Sequence, residues 1–254
     1  MGKIIAIVNQ KGGVAKTTTA INLAAAVAQR GHKTLLVDLD PQGNATSGLG
    51  IDRRGMEHCV YDLLINDAPI EAVLLHTDYQ QLDVIPATIQ LAGAEVELVS
   101  AISRENRLRR ILRPQRGHYD YIFIDCPPSL GLLTINALSA ADRALLPLQC
   151  EYYALEGVTQ LLNTYEMIRK NLNPELEIEG VLLTMYDART NLSSQVAEEA
   201  RNYFGRKVYD TQISRSVRLS EAPSHGLPGI IYDPKSRGAV EYQALADEFL
   251  SRQG

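Results

Sequence analysis

The chain alternates short, almost wholly apolar segments with longer segments in which apolar residues recur every three or four positions. The apolar segments are rich in β-branched residues and comprise KIIAIVN, KTLLVDLD, LDVIPA, DYIFIDCP, RALLPLQ and IEGVLLTMYD. Strands that are apolar on both faces are typical of a parallel sheet covered by helices on both sides. The pattern therefore predicts an α/β fold with a mostly parallel β-sheet and helices on both faces.

Helical periodicity is clear in four of the longer segments. They are residues 17–30, LLNTYEMIRKNL, SQVAEEARNYF and AVEYQALADEFL, which we place on the outer faces of the sheet. The sequence has no internal repeat, no low-complexity segment and no Pro/Gly/Ser stretch long enough to link two domains. We therefore predict a single domain over residues 1–254.

Composition narrows the class of protein further. The 254 residues are 45% hydrophobic and 22% charged, as expected of a globular protein with a sizeable core. The three cysteines have no C-x-x-C spacing, so they indicate neither a disulfide framework nor a zinc site and fit a reducing cytosol. The first residues lead directly into a predicted strand, and no run of 18 apolar residues occurs, so we expect a cytoplasmic protein that is neither exported nor membrane-spanning.

The net charge of −5 excludes a global positive field that would attract nucleic acid. Any such attraction has to be local. Basic residues concentrate in 104–116 and in 206–218. In the first of these segments the helical spacing of the arginines is more typical of a solvated helix face than of a binding site.

A phosphate-binding loop is predicted between the first strand and the first helix, in IVNQKGGVAKTTT. Backbone N–H groups at a helix N-terminus bind anions, and the helix dipole adds to the attraction. Lys16 would reach the β- and γ-phosphates of ATP, and the Thr17 hydroxyl would ligate Mg²⁺. The alternative is a plain strand-to-helix connection. The candidate nucleotide-binding residues are Gly12, Gly13, Val14, Ala15, Lys16, Thr17 and Thr18.

Three carboxylates follow two later predicted strands, Asp38 and Asp40 in VDLDPQG and Asp125 in FIDCPPS. Because ligands bind at the carboxyl ends of parallel strands, we expect these acids to converge on the loop. Asp38 and Asp125 would bind Mg²⁺ through its waters, and Asp40 would orient the attacking water. For each acid the alternative is an exposed strand-end carboxylate or a helix cap.

These motifs carry a family resemblance. QKGGVAKTT resembles the deviant Walker A loop, K-G-G-x-x-K-[ST], of the MinD/ParA superfamily, which accounts for Gln10 where the usual phosphate loop has glycine. The remaining motifs resemble the chromosomal ParA/Soj branch: DLDPQGNATSGLG, DVIPATIQLAGAEVEL, IDCPPSLGLLTINAL, QCEYYALEGVTQLL, LLTMYDARTNL and VRLSEAPSHG. The resemblance implies a weak ATPase that dimerises around two ATP molecules and binds double-stranded DNA without sequence preference. It also implies release from DNA when a ParB-type partner stimulates hydrolysis.

Two loop residues acquire specific expectations from the resemblance. In the family, the lysine at the position of Lys11 reaches across the dimer to the other subunit's phosphates; the alternative here is a solvated loop lysine. Ala15 departs from the family, which usually has glycine before the Walker lysine. If that position needs φ > 0, alanine costs on the order of 1 kcal/mol or more; if it is helical, the methyl group crowds a backbone that must approach phosphate closely. We therefore expect weakened nucleotide binding or a poorly closed dimer.

Candidate DNA and adenine contacts lie in the C-terminal third. Arg189 and Arg218 match basic residues of the ParA/Soj branch and are the candidate DNA-binding residues, with a solvated surface charge as the alternative for each. Met185 and residues 213–215 lie at predicted strand ends and are candidates for contacting adenine. A core role for Met185 is the alternative.

Three other functions compete with DNA partition. A MinD-like membrane-surface ATPase needs a basic amphipathic C-terminal helix, but VEYQALADEFLSRQG is acidic. A relative of the nitrogenase iron protein needs cysteines at the dimer axis, and Cys59 and Cys126 lack suitable contexts. For a metabolic P-loop enzyme, no acid, base or nucleophile stands out beyond the nucleotide site. We therefore expect a nucleoid-associated protein that does not bind membranes.

Overall fold

A sheet of eight strands crosses the computed structural model, which describes the backbone of residues 1–151 and 154–253 and the side chains of residues 1–151 and 159–253. The strands lie in the order β3-β4-β2-β5-β1-β6-β7-β8. All neighbours pair in parallel except β3 and β4. Their bounds are Lys3–Ile7 (β1), Thr34–Asp38 (β2), Leu75–His76 (β3), Leu82–Ile85 (β4), Tyr121–Asp125 (β5), Arg143–Gln149 (β6), Glu177–Tyr186 (β7) and Ile213–Ser214 (β8).

All six strands predicted from the apolar segments are confirmed. The two that the sequence does not reveal, β3 and β8, are two residues long and lie at the edges of the sheet. A two-residue strand is too short to show an alternating or continuous apolar pattern. The predicted fold class is therefore correct, and the omissions concern only the edges.

The helices form two layers. Their bounds are Lys16–Gln29 (α1), Asn44–Gly48 (α2), Val60–Ile65 (α3), Leu91–Glu97 (α4), Arg107–Leu112 (α5), Leu132–Ala140 (α6), Ala154–Asn171 (α7), Asn191–Phe204 (α8), Val217–Glu221 (α9), Gly229–Tyr232 (α10) and Arg237–Ser251 (α11). The four helices predicted from periodicity correspond to α1, α7, α8 and α11. Part of the motif QCEYYALEGVTQLL, the side chains of residues 152–158, lies outside the described residues.

Successive residues of one strand belong to opposite cores. In β1, Ile4 packs in a core with apolar residues of α3 to α8, whereas Ile5 packs in a second core with α1, α10 and α11. Side chains of a strand alternate between the two faces, so strands that are apolar throughout stabilise both helical layers. Among the described residues, none of the helices combines the length and the apolarity that a membrane crossing requires.

The register of the central strands places the functional loops side by side. Asp125 at the end of β5 pairs with Ile7 at the end of β1 and with Asp38 at the end of β2. Because these three neighbours are parallel, their carboxyl ends open at one edge of the sheet. The loop that precedes α1 and the predicted acids therefore share this edge, as the sequence indicates.

Candidate nucleotide-binding site

The loop between β1 and α1 contains two residues in the left-handed region. Gly13 has φ +77°, and Ala15, which precedes α1, has φ 67° and ψ 30°. Glycine adopts this conformation without strain, but the Cβ of alanine makes it cost about 1–2 kcal/mol. The sequence predicts a cost for alanine at position 15 if that position needs a positive φ, and in the structure it does have one.

Side chains from neighbouring strand ends fix the shape of the loop. Asn9 donates from Nδ2 to the Pro147 carbonyl at 2.7 Å and accepts from the Lys11 N–H at 2.9 Å. The Thr184 hydroxyl donates to the Val14 carbonyl at 3.1 Å. The loop is thus tied to β6 and β7 and keeps its curvature through contacts within the chain.

The first turn of α1 is open to an anion. No side chain caps the N-terminus of this 14-residue helix, and its first turn carries no acidic residue. A Cβ on Gly12 would lie 4.0 Å from its nearest neighbour, the Pro128 Cβ, and one on Gly13 would have no neighbour within 4 Å. Because glycine has no side chain, neither position blocks the approach of an anion to the backbone N–H groups.

Lys16 is buried at the start of α1. Its Nζ donates to the Lys11 carbonyl at 2.9 Å, and the side chain is only slightly exposed. Burial lowers the pKa of Lys16, and the negative charges of Asp125 and Asp40 oppose that shift. A phosphate group in the loop would supply the negative charge that this buried ammonium lacks.

Asp125 is the carboxylate of the site whose charged form is most disfavoured by burial. It is fully buried, and neither of its carboxylate oxygens has a hydrogen-bond partner among the described residues. Burial and the charge of Asp38 raise its pKa well above the ordinary value, although the neighbouring Thr17 hydroxyl and Lys16 oppose this rise. A buried carboxylate without a partner next to a hydroxyl is a suitable pair of ligands for Mg²⁺.

Asp38 is engaged by its own chain. One of its oxygens accepts from the backbone N–H and the hydroxyl of Thr46 at 2.8 and 2.7 Å, and the other accepts from the Asp40 N–H at 3.2 Å. Burial raises the pKa of Asp38 to about 6. These bonds join β2 to the first turn of α2, so Asp38 also has the helix-capping role that the sequence left open as an alternative.

Thr46 is a residue of this network that sequence reasoning missed. Its hydroxyl donates to Asp38 and also accepts from the Ala87 N–H at 2.9 Å, which joins α2 to the end of β4. A threonine within a short polar segment gives no periodic signal. Only the folded chain brings it to the carboxylate.

Asp40 lies in the turn that follows β2, with its side chain mostly buried. Its Oδ1 accepts from the Gln42 N–H at 2.9 Å, and its carbonyl accepts from the Gly43 N–H at 2.8 Å. Gly43 has φ 59°. The turn therefore holds Asp40 at the carboxyl edge of the sheet, where the sequence placed it.

No cluster of three or more His, Cys, Asp or Glu side chains in the described part of the chain is arranged to hold a metal ion. Mg²⁺ commonly takes one or two protein carboxylates and completes its shell with phosphate oxygens and water. The pair formed by Thr17 and Asp125 fits this mode of binding. It does not fit a site built from protein ligands alone.

Beside the loop is a cavity of about 330 Å³. Its lining includes Ala15 from the loop and Thr18 from α1, together with Met185 and residues 213–215. The structure thus brings together all the residues proposed from the sequence to contact adenine. Met185 is half-buried with φ 51°, so it lines the cavity from a strained backbone conformation and does not lie wholly in the core.

Lys11 points to a carboxylate of its own chain. Its Nζ lies 2.9 Å from Glu151 Oε2, just beyond β6. Sequence reasoning missed Glu151, although an acid directly after a strand is the signal that identified Asp40. In this structure the Lys11 side chain is therefore paired within its own chain and is not freely solvated.

The two candidate DNA-binding arginines lie beyond the carboxyl ends of β7 and β8. Arg189 is in the turn before α8 and makes two bonds to Asp187, Nε to Oδ1 at 2.9 Å and Nη2 to Oδ2 at 2.8 Å. Arg218 in α9 pairs with Glu221 at 3.0 Å and with Asp233 at 3.4 Å. Both side chains are exposed, and both charges are partly compensated within the chain.

Comparison with known proteins identifies close relatives. An AAA domain family model matches residues 2–178. The chain is 65% identical over 248 residues to the sporulation initiation inhibitor protein Soj of Bacillus subtilis, covering 98% of each chain. It is 54% identical over 254 residues to the chromosome-partitioning ATPase Soj of Treponema pallidum, covering 100% of this chain and 99% of the relative.

A similar solved structure is described as cobyrinic acid a,c-diamide synthase from Mycobacterium smegmatis with bound ADP and magnesium. It shares 40% sequence identity with this chain, has a TM-score of 0.88, and the match covers 100% of this chain and 96% of the other. This chain and that solved structure therefore share the same fold over almost their whole lengths. The ligands bound in that structure are ADP and magnesium.

Proposed function

Because this chain belongs to the Soj/ParA family of chromosome-partitioning ATPases, we propose that it is a nucleotide-controlled switch on DNA. In this proposal two subunits close around two ATP molecules, and the dimer binds duplex without sequence preference. A ParB-type partner stimulates hydrolysis to ADP and phosphate, and the subunits leave the DNA. The switch works in the cytoplasm on the nucleoid and needs no membrane.

The observation that carries the proposal is the unpartnered, buried carboxylate of Asp125 between Lys16 and Thr17. Burial makes the charged form of Asp125 unfavourable, and a bound cation would compensate that charge. Mg²⁺ with the phosphates of ATP supplies the opposite charge for Asp125 and the acceptor for Lys16. The ion would neutralise charge that develops on the phosphates during hydrolysis.

The chain's own residues have distinct roles in this proposal. Lys16 and the N–H groups from Gly12 to Thr18 bind the phosphates, and Met185 contacts the adenine. Thr17 would hold Mg²⁺, and Asp125 and Asp38 would act on the ion through its waters. Asp38 also keeps the Asp40 turn in place. Asp40 accepts a hydrogen bond from the attacking water and so directs it at the γ-phosphate. Lys11 would contact the phosphates of the other subunit.

DNA binding follows from the local charges of Arg189 and Arg218. Each arginine contributes a phosphate contact, and a dimer presents each of them twice. This explains how a chain with a net charge of −5 could bind duplex. The contacts involve the backbone of DNA, so they would not depend on its sequence.

The membrane-surface alternative finds little support in α11. Tyr242 and Phe249 of this helix are fully buried against α1 and the sheet, so its apolar face belongs to the core. A helix that lies on a bilayer has to leave that face available for lipid. We therefore favour DNA over lipid as the surface on which the switch works.

The proposal predicts that Asp40→Ala binds ATP but hydrolyses it at least tenfold more slowly, because the water is no longer oriented. The trapped dimer should stay on duplex DNA, while the unchanged chain is released as ATP is consumed. Sedimentation with and without ATP, together with DNA retention over time, measures both effects. Rapid turnover by this variant, or a wild-type chain that stays monomeric with ATP, would contradict the proposal.

A further inference from the structure

Glu151 holds Lys11 on its own subunit. Lys11 Nζ lies 2.9 Å from Glu151 Oε2, and the other oxygen of Glu151 accepts from Gln149 Nε2. Gln149 is the last residue of β6, which pairs with β1 directly below the loop. The carboxylate is therefore held in position by the strand that precedes it.

Lys11 is restrained by its main chain as well. Its N–H donates to Asn9 Oδ1 at 2.9 Å, and its carbonyl accepts from Lys16 Nζ at 2.9 Å. All three contacts come from the same subunit. In the proposed function Lys11 contacts the nucleotide phosphates of the other subunit. In this structure it is instead bound to residues of its own subunit.

We propose that Glu151 is a positioning residue that keeps Lys11 from the dimer interface until nucleotide and a second subunit compete for it, and so sets the affinity of the ATP-dependent dimer. This inference rests on the proposed function, because it requires Lys11 to act across the dimer.

The strength of the ion pair suits such a restraint. The side chains of Lys11 and Glu151 are 41% and 47% exposed, so water screens their attraction. A triphosphate carries several negative charges and would be enclosed between two subunits, where screening is weaker. Phosphate therefore wins the competition, but each subunit first has to break one pair.

Binding of ATP to the same subunit would weaken the restraint on the main chain of Lys11. When Lys16 turns to a phosphate, its bond to the Lys11 carbonyl is lost. Among the described residues, the peptide of residue 11 then keeps the Asn9 bond, and the side chain keeps its ion pair with Glu151. Nucleotide binding is in this way coupled to the readiness of Lys11 to change partner.

The test is Glu151→Gln in the full chain, which removes the charge and keeps the shape. With a non-hydrolysable ATP analogue and Mg²⁺, sedimentation should give a dimer dissociation constant about 2- to 30-fold lower than that of the unchanged chain, since two exposed pairs no longer have to be broken. The difference should shrink at high salt. Affinity for ADP, which needs no dimer, should not change.

Glu166→Gln is the matched control. Glu166 is also an exposed acid with a basic partner, Arg169 at 4.0 Å, and it lies on α7 away from the loop. This variant should dimerise as the unchanged chain does. Dimers of Glu151→Gln that are no tighter, or are weaker, would overturn the inference alone. An unchanged chain that never dimerises with the analogue would overturn the proposed function and this inference with it.

Discussion

At the scale of single residues, Ala15 shows how much a local conformation can demand of one side chain. The loop requires φ 67° at this position, and the methyl group lines the cavity proposed for adenine. The sequence identified the position because a family motif has glycine there. It could not supply the dihedral angle, which depends on how β1, β6 and β7 hold the loop.

We expect Ala15→Gly to stabilise the chain by up to about 1 kcal/mol. Relief of the left-handed strain, about 1–2 kcal/mol, exceeds the extra freedom that glycine gives the unfolded chain. Urea unfolding measures the change. Ala244→Gly, at an exposed position within α11, should have the opposite sign and cost about 0.5–1 kcal/mol. A loss of stability in Ala15→Gly would show that the angle is not strained.

The buried acids Asp38 and Asp125 make stability depend on pH. Both have a raised pKa, to about 6 for Asp38 and well above the ordinary value for Asp125, mainly because of burial. The folded chain thus keeps protons that the unfolded chain loses near pH 4, so ionisation of the pair opposes folding. Stability contributed by the protonated acids is present below about pH 4 and is lost as pH rises through 6 and beyond.

Asp125→Asn should therefore raise the melting temperature of the nucleotide-free chain at pH 8 by several degrees, because a neutral amide replaces a buried charge. The gain should be smaller at pH 5, because a lower pH favours the protonated form of Asp125 in the unchanged chain. Mg²⁺ and ATP should stabilise the unchanged chain but not the variant. Calorimetric scans at both pH values measure this. An equal gain at both would show that charge is not its cause.

At the scale of elements, apolar runs and helical periods revealed the six longest strands and the four longest helices, but not the nine-residue, largely buried helix α6. They correctly predicted β1, β2, β4 to β7 and the longest helices, and the parallel arrangement correctly predicted that Asp38, Asp40 and Asp125 share an edge. Contacts between distant segments stayed hidden. Thr46 on Asp38 and Glu151 on Lys11 depend on turns whose paths no local pattern specifies.

The turn between β7 and α8 leads to a prediction about DNA. Asp187 binds the guanidinium of Arg189 with both oxygens, and this arginine lowers the pKa of Asp187 to about 2. In the proposed complex with DNA, a phosphate group would have to displace that carboxylate. Asp187→Asn should therefore raise affinity for all duplexes about 2- to 5-fold and steepen the dependence of log K on log salt by about one.

Asp78→Asn changes the net charge equally at an exposed position between β3 and β4, and it should leave DNA affinity almost unchanged. Fluorescence anisotropy over a salt series compares the two variants with ATP present. If Asp187→Asn binds DNA more weakly, Asp187 orients Arg189 for the phosphate and does not compete with it.

At the scale of the whole molecule, Gly12 points beyond the single chain. Its φ is not positive, and a Cβ there would meet nothing closer than 4.0 Å, so this subunit alone does not require glycine. In the proposed dimer the same space faces nucleotide and the other subunit. The small size of the residue is then a condition for association.

Gly12→Val should consequently leave the folded monomer within about 0.5 kcal/mol of the unchanged chain, yet weaken its ATP-dependent dimer at least tenfold through steric exclusion. Gly117→Val is the control. Gly117 also has an ordinary φ, and a Cβ there would have no neighbour within 4 Å, but the residue precedes β5 and so lies at the amino ends of the strands, away from the loop. Light scattering with ATP compares the two. Normal assembly of the Gly12 variant would place the subunit contact elsewhere.

The two edge strands of the sheet, β3 and β8, are only two residues long, which affects how molecules of this protein can associate at high local concentration. Many copies gathered on one stretch of chromosome would face one another at high local concentration, where long unpaired strands promote runaway fibre growth. Each of these two edge strands offers only two residues of backbone for a neighbouring molecule to extend. Filaments, wherever they arise, would have to be built from side-chain surfaces, and such contacts remain reversible.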